Sequence, residues 1–217
     1  MRIIAVRTLK EYIEEFPLAE QALLSWHEEA TLAGWSNPNE LKAQYQNASI
    51  LTAKRVVFNI HGNSFRLIVD IEFRLKIVFI VWFGTHSQYD KIDAKKISYV
   101  KINKNNQQYE NALERAYLLM QKDLKVDSKQ SDELEVLSIL IKEYENEYFP
   151  IAKPTPLEAI KFRLEQMNMS ESELSTILGH RSRKSEILSG KRKLSLDMIR
   201  KLVDQLYIPA DVLIQAY

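Results

Sequence analysis

The chain has 217 residues, with 30 Lys and Arg against 29 Asp and Glu, and it contains no cysteine. An apolar share of 46% is enough for packed cores, so the composition excludes a globally disordered protein. The lack of cysteine excludes disulfides, thiol nucleophiles and cysteine-based zinc sites. The four scattered histidines show no metal-ligand spacing, so we expect neither a metal nor another cofactor.

No apolar run approaches the roughly 20 residues that a membrane-spanning helix needs. The longest run, residues 77–83, has seven residues. The apolar run at residues 3–6 stops at Arg7, which is too short for a signal peptide. We therefore expect a cytoplasmic protein without a membrane partner.

The first 97 residues predict helices followed by strands. Residues 3–6 form a short strand candidate, and a helix then runs to Phe16. Pro17 opens a second helix that ends at Gly34, and Asn37 starts a third. After these helices the apolar period changes to two, which predicts strands at residues 55–60, 65–73 and 76–83. With the first strand, this gives a small antiparallel sheet of about four strands packed with helices.

The rest of the chain is predicted to be all-helical. Residues 98–108 are rich in Lys and Asn and read as a linker, and residues 109–150 carry amphipathic helices. Prolines then precede a cluster of short helices in residues 151–217. The predicted fold class is α+β, with an α+β domain at residues 1–97 followed by an all-α region.

Charge by segment is more informative than the net charge of +1. Residues 1–97 hold 12 basic and 11 acidic residues, and residues 98–217 hold 18 of each. Basic residues nevertheless cluster at 180–193, whereas acidic ones concentrate in the helices at 110–148. The average therefore conceals a basic patch that suits nucleic acid.

Residues 170–208 predict a helix-turn-helix. Ser170 caps a helix with an acidic first turn, Gly179 ends it, and a second helix spans residues 181–188. In such an arrangement the second helix enters the major groove of DNA. The pattern LSTILG at 174–179 with SGKR at 189–192 resembles the lambda-repressor-like (Xre-type) helix-turn-helix family.

That resemblance implies a set of DNA-binding residues. The front of the recognition helix would present Arg181, Ser182, Arg183, Lys184 and Ser185, and the DNA backbone would be held by Lys191 and Arg192. His180 departs from the family, which commonly has a small or β-branched residue there. The alternative is a helical cap whose basic residues are simply solvated.

In the α+β half, polar residues are dispersed along an otherwise apolar sheet and in the turn that follows it. Arginine on such a face can stabilise a charged transition state, and His or Tyr can transfer protons. The segments FNIxGNxxRL at 58–67 and THxxYD at 85–90 resemble the HigB-type mRNA interferase toxins of the RelE/ParE superfamily. This resemblance implies a ribosome-associated endoribonuclease that needs no metal and has a HigA-type helix-turn-helix antitoxin as its partner.

The resemblance also suggests roles for individual residues. Arg66 would stabilise phosphate and transition state, His86 would transfer protons, and Tyr89 would position His86 or stack on a base. Lys54, Arg55, Asn59 and Asn63 would hold RNA. Simpler roles stay open: His86 as a helix cap, Tyr89 as a core aromatic and Asn63 as a turn former.

We therefore predict a toxin and its antitoxin in one polypeptide. A toxin domain (1–97) would be followed by a linker (98–108), a helical neutralisation and dimerisation region (109–150) and a DNA-binding domain (151–217). The partners would be mRNA on the ribosome, operator DNA, the chain's own antitoxin region and a second copy in a homodimer. An internal start at Val100 or an artificial joining of two chains stays open.

Two rival functions remain at this point. In one, the chain is a non-enzymatic transcription regulator that keeps a degenerate toxin domain as a binding module. In the other, the N-terminal half resembles the gyrase-poisoning branch of the same superfamily.

Overall fold

The computed structural model describes residues 1–99, 107–179 and 181–215, without the side chains of Glu171 and residues 181–183. Most of the predicted linker, including Val100, and His180 therefore lie outside the described residues. The described residues contain five strands, namely β1 (Arg2–Ile4), β2 (Ser49–Ile50), β3 (Arg55–Ile60), β4 (Phe65–Glu72) and β5 (Ile77–Thr85).

The helices fall into two groups along the chain. Those of the first half are α1 (Val6–Glu15), α2 (Glu20–Leu32), α3 (Pro38–Gln44) and α4 (His86–Tyr89), with a 3-10 turn at Pro17–Ala19. The second half contributes α5 (Gln107–Met120), α6 (Lys129–Tyr148), α7 (Pro156–Gln166), α8 (Glu171–Leu178), α9 (Arg181–Leu188), α10 (Leu196–Leu206) and α11 (Ala210–Leu213). The predicted mixture of an N-terminal sheet with helices and a helical C-terminal part is confirmed.

The sheet has the strand order β1-β5-β4-β3-β2. The hairpins β3–β4 and β4–β5 are antiparallel as predicted, the short strand β2 was not predicted and pairs antiparallel with β3, and β1 pairs with β5 in parallel. The prediction of a wholly antiparallel sheet of about four strands was therefore wrong at this edge. The long chain segment between β1 and β5 permits the parallel pairing, because it is long enough for a crossover connection.

The two faces of the sheet have different coverings. On one face, α1 to α3 build an aromatic core in which Phe58 lies against Trp26 and Phe83 lies against Phe16, each pair with ring centroids 5.6 Å apart. On the other face, Tyr117 of α5 contacts Phe79 of β5 at 5.3 Å. This second face is the one that carries the predicted site residues.

Helices α5 and α6 belong to the same hydrophobic core as the sheet. Leu113, Met120 and Leu134 are almost fully buried in it. Helix α1 has Ala5 at its N-cap position and no side-chain cap of its own, and the carboxylate of Glu145 from α6 accepts a hydrogen bond from the Val6 amide at 2.7 Å. The predicted toxin domain is therefore completed structurally by residues beyond 97.

A second hydrophobic core is formed by α7, α8, α9, α10 and α11. It is joined to the first by Arg163 of α7, whose fully buried guanidinium lies 3.1 Å from the Glu29 carboxylate and also donates to the carbonyls of Leu206 and Gln44. Tyr45 donates to the same carboxylate at 2.7 Å. Burial raises the pKa of Glu29 to about 7, although Arg163 and Tyr45 oppose this shift.

Within the second core, α8 ends at Gly179 in a left-handed conformation with φ of 96°, which favours glycine. Ser170 caps α8 through a reciprocal capping box with Glu173. Leu174 of α8 and Ile187 of α9 are fully buried in the small core, and α10 packs against α8. The backbone thus has short helices on either side of a glycine turn.

Candidate active site

One row of residues crosses three strands at the end of the sheet nearest α4. Asn59 of β3 pairs with Arg66 of β4, and Arg66 pairs with Gly84 of β5. Paired residues project from the same face, so these three positions share it. Thr85 then begins α4 through a capping box with Gln88, which places the helix beside this row.

Arg66 is the centre of the candidate site. Its Nη1 donates to the carbonyls of Asn63 and Phe65, at 3.2 and 3.0 Å, and its Nη2 donates to Oδ1 of Asn63 at 2.6 Å. Its guanidinium carbon lies 5.9 Å from the ring centre of Tyr89, in cation–π range. Burial lowers the pKa of Arg66, while Tyr89 and Asp90 oppose the shift. An arginine remains a cation under such a shift and can bind a phosphate.

His86 lies beside that guanidinium. Its Nε2 is 3.4 Å from Nη2 of Arg66 and 3.5 Å from Oδ1 of Asp90, and 43% of its side chain is exposed. The alternative that His86 merely caps α4 is not supported, because the capping oxygen belongs to Thr85. An accessible imidazole between a carboxylate and a guanidinium can accept and return a proton near a bound phosphate.

The structure brings five of the predicted site residues together: Arg66, His86, Tyr89, Asn63 and Asn59. Asn63 has both proposed characters, since it lies in the β3–β4 turn and its side-chain oxygen orients Arg66. Tyr89 is half-buried and lies 6.4 Å from the ring centre of Trp82, so it is only partly a core aromatic.

Lys54 and Arg55 do not belong to this cluster. Nζ of Lys54 donates to the carbonyls of Met120 and Lys122 at the end of α5. Arg55 is buried and makes a two-pronged contact with Asp70, with both distances 2.8 Å, under the α5 side of the sheet. The structure thus separates both cations from the Arg66 cluster and engages them in contacts within the fold, and their role in RNA binding stays a prediction.

Two residues of the site were missed from the sequence, namely Trp82 and Gly84. A Cβ atom at Gly84 would lie 2.7 Å from the indole of Trp82 and 2.8 Å from Oε1 of Gln88. The indole therefore lies in close contact with the backbone of Gly84, and its ring centre is 6.4 Å from that of Tyr89. The sequence did offer one signal, because Gly84 lies near the end of a strand that otherwise consists of large side chains. A glycine in a strand often marks a place where another group approaches the backbone closely.

The predicted DNA-binding residues lie on α9 and the turn after it. Arg181, Ser182 and Arg183 have side chains outside the described residues. Ser185, Lys191 and Arg192 are exposed, and Lys184 is half-buried. Arg192 forms an ion pair of 3.1 Å with Glu186, so its charge is partly neutralised within the fold.

In the part of the chain that the structure describes, no group of His, Asp and Glu side chains could hold a metal ion. Nor does any described helix have the length and apolarity to cross a membrane.

None of the curated proteins compared with the chain matches it. Residues 19–92, however, match the family model HigB_toxin, the RelE-like toxic component of a toxin-antitoxin system. This match spans α2 to α4 and supports a RelE-like toxin domain in the N-terminal part of the chain.

Proposed function

We propose that this chain is a toxin–antitoxin fusion in which a ribosome-associated endoribonuclease is followed by its own neutralising, DNA-binding antitoxin. The observation that carries the proposal is the cluster of Arg66, His86 and Tyr89 inside the segment that matches the toxin family. Arg66 lies within reach of both the accessible imidazole of His86 and the phenol of Tyr89, which suits a catalytic centre better than a binding module without activity.

The proposed reaction uses the 2′-hydroxyl of RNA as the nucleophile. The 2′-oxygen attacks the adjacent phosphorus, the bond to the 5′-oxygen breaks, and a cyclic phosphate and a 5′-hydroxyl result. Arg66 would stabilise the extra negative charge on the phosphate oxygens. His86, oriented by Asp90, would move the proton from the nucleophile toward the leaving oxygen, and Tyr89 would hold Arg66 and His86 in place.

In this proposal the C-terminal helices neutralise the toxin domain by preventing it from entering the ribosome, and they do not cover His86. The side chain of His86 is 43% exposed, and α5 contacts the sheet near Asp70, at the opposite end of the face. Helix α7 docks on the β3–β4 hairpin instead: Glu165 accepts from the Gly62 amide at 2.7 Å, and Gln166 donates to the Asn59 carbonyl at 2.9 Å. An attached helical region at this hairpin would keep the domain out of the confined site on a ribosome.

The helical C-terminal part supplies the proposed autorepressor. Short helices flank the turn at Gly179, and exposed Ser185 and Lys191 lie on and just beyond α9. We propose that α9 reads the major groove of the chain's own operator, and that two chains bind two half-sites as a homodimer. The phosphate contacts make this binding sensitive to salt.

The test compares mRNA cleavage in a translating extract by residues 1–97 and by the full chain. We expect cleavage by the fragment, none by the full chain, and none by the fragment with Arg66→Ala and His86→Ala. Arg74→Ala is the matched control, since it removes an exposed cation outside the cluster. Because α5 and α6 share the first core, folding is checked by circular dichroism, and residues 1–151 replace the fragment where it is unfolded. A folded fragment that leaves mRNA intact refutes the enzymatic proposal.

A further inference from the structure

Trp82 lines a recess that adjoins the Arg66 cluster and has no role in the chemistry proposed above. The recess has a volume of about 400 Å³ and lies between α1, the end of β5 and the turn after α4. Its walls include three further aromatic rings, from Tyr12, Phe16 and Phe83, and three polar side chains, from Glu15, Gln88 and Lys91. A recess of this size beside a phosphate-binding arginine is suited to a flat aromatic ligand.

The indole is held in position by its neighbours. It lies against the Cα of Gly84, where a side chain would collide with it, and its ring centre is 6.4 Å from that of Tyr89. Tyr89 in turn lies under the Arg66 guanidinium at 5.9 Å. The cation, the phenol and the indole therefore follow one another along the face, from the candidate reaction centre to the recess.

Two polar groups of the recess, on Gln88 and Lys91, suit the edge and the phosphate of a nucleotide, whereas the third is the carboxylate of Glu15 on α1. Oε1 of Gln88 accepts a hydrogen bond from the Thr85 amide at 2.7 Å. The side-chain nitrogen of Gln88 is the remaining donor of this amide and can serve the edge of a base. Lys91 is exposed and supplies a cation at the rim. Bases of single-stranded nucleic acid stack on such aromatic side chains whatever their sequence.

We propose that the Trp82 recess binds a nucleobase of single-stranded RNA next to the cleaved phosphate and thereby positions the strand on Arg66. This inference rests on the proposed function for its ligand. It assigns to Trp82 a positioning role through stacking, with Gly84 as the residue that leaves room for the indole.

Intrinsic fluorescence of the full chain tests the proposal directly, because the three tryptophans differ in accessibility. Trp26 and Trp35 are 0% and 3% exposed, whereas Trp82 is half-buried at the recess. The probe is a short single-stranded RNA with 2′-O-methyl groups, which cannot be cleaved through the 2′-oxygen. We expect the RNA to quench the fluorescence of the wild type and to leave that of Trp82→Phe unchanged.

Affinity is then measured with a labelled copy of the same RNA. Loss of one stacked base corresponds to about 5- to 150-fold weaker binding, so Trp82→Ala is expected to fall in that range. Tyr148→Ala, which removes an exposed aromatic from α6, is the control and is expected to bind as the wild type does. An unquenched wild type, or equal affinity of Trp82→Ala and wild type, overturns the inference. Quenching without any cleavage of unmodified mRNA by the toxin fragment instead overturns the proposed function and leaves the recess assignment standing.

Discussion

The same face of the sheet carries two arginines with opposite fates. At one end, Arg55 is enclosed by Asp70, by the carbonyls of residues 94, 95 and 97, and by the hydroxyl of Tyr117. At the other end, Arg66 contacts the Asn63 side chain, His86 and Tyr89. The residue on the neighbouring strand therefore determines whether an arginine forms an internal ion pair or stays available for a ligand. Asp70 lies opposite Arg55, whereas Asn59 and Gly84 lie opposite Arg66.

The electrostatics of the two arginines follow the same division. Burial lowers the pKa of Arg55, but the hydrogen bonds and the charge of Asp70 outweigh it and raise the pKa overall. Burial lowers the pKa of Arg66, and the opposing effects of Tyr89 and Asp90 leave it lowered. A guanidinium that has lost water without gaining a buried carboxylate is the better receptor for a phosphate.

The largest effect is expected from Arg55→Ala. The substitution leaves the Asp70 carboxylate buried without its cation, which typically costs about 3–5 kcal/mol of the free energy of unfolding. Urea denaturation followed by circular dichroism measures this loss. The double variant Arg55→Ala with Asp70→Asn should recover part of the stability, because it removes the uncompensated charge. A single variant as stable as the wild type would mean that the pair does not hold α5 on the sheet.

Arg66→Ala should show the reverse pattern, with a large effect on activity and a small one on stability. Loss of one transition-state donor typically lowers a rate by about 10²–10³-fold, and we expect that decrease in mRNA cleavage by the toxin fragment. The free energy of unfolding should fall by about 1 kcal/mol, because the lost hydrogen bonds go to a turn at the surface. Arg66→Lys should not restore cleavage, since an ammonium lacks the planar fork of donors. Equal destabilisation by the Arg55 and Arg66 variants would remove the distinction between the two ends.

The distinction between these arginines was only partly accessible from the sequence. The two-residue period of β4 fixes the face of Arg66, but its grouping with His86 and Tyr89 came from the resemblance of residues 58–67 and 85–90 to the HigB-type toxins. The enclosure of Arg55 depends on strand register, including a bulge between Ile68 and Val69, and on a helix that begins beyond residue 99. Such long-range contacts leave no local sequence pattern, because the residues around a strand arginine do not show whether it will pair with a buried carboxylate or bind a phosphate.

The domain boundary was inaccessible for a related reason. The apolar stripe of α5 predicts a buried face but does not say which surface buries it, and the structure places it in the core of the preceding sheet. The parallel pairing of β1 also escaped prediction, because a strand of three residues carries almost no signal of its partner. The glycine turn at Gly179 was predicted, because a left-handed helix end has a local requirement for glycine.

Gly84→Ala sharpens the account of the Arg66 end. A methyl group there meets the Trp82 indole at 2.7 Å, so the indole has to move away from its place beside Tyr89. Overpacking of this kind costs about 1–3 kcal/mol of the free energy of unfolding, and the displaced indole should also weaken RNA binding. Gly34→Ala is the matched control, because a methyl group at Gly34 meets no atom within 4 Å. Identical RNA affinity of Gly84→Ala and Gly34→Ala would show that the position of the indole does not matter.

The last prediction concerns the pH dependence of Glu145, which joins α6 to the start of α1. This carboxylate accepts from the Val6 amide and from Tyr109, and burial raises its pKa from 4.5 to about 7 despite those hydrogen bonds. The folded state therefore holds a proton that the unfolded state releases, so stability falls as pH rises from about 4.5 to 7, by at most about 1.4 kcal/mol per pH unit.

Glu145→Gln keeps the acceptor oxygen and removes the titration, so its unfolding free energy should decline less steeply over the same pH range. Glu29 has a raised pKa of about 7 as well, so the variant should retain a residual slope rather than none. Urea titrations at several pH values between 4.5 and 7 measure both slopes. Superimposable pH profiles for the variant and the wild type would mean that the Glu145 carboxyl does not gain a proton on folding. In that case the Glu145 carboxylate would stay ionised between pH 4.5 and 7 while it accepts the Val6 amide. The contact between α6 and α1 would then be independent of pH over this range.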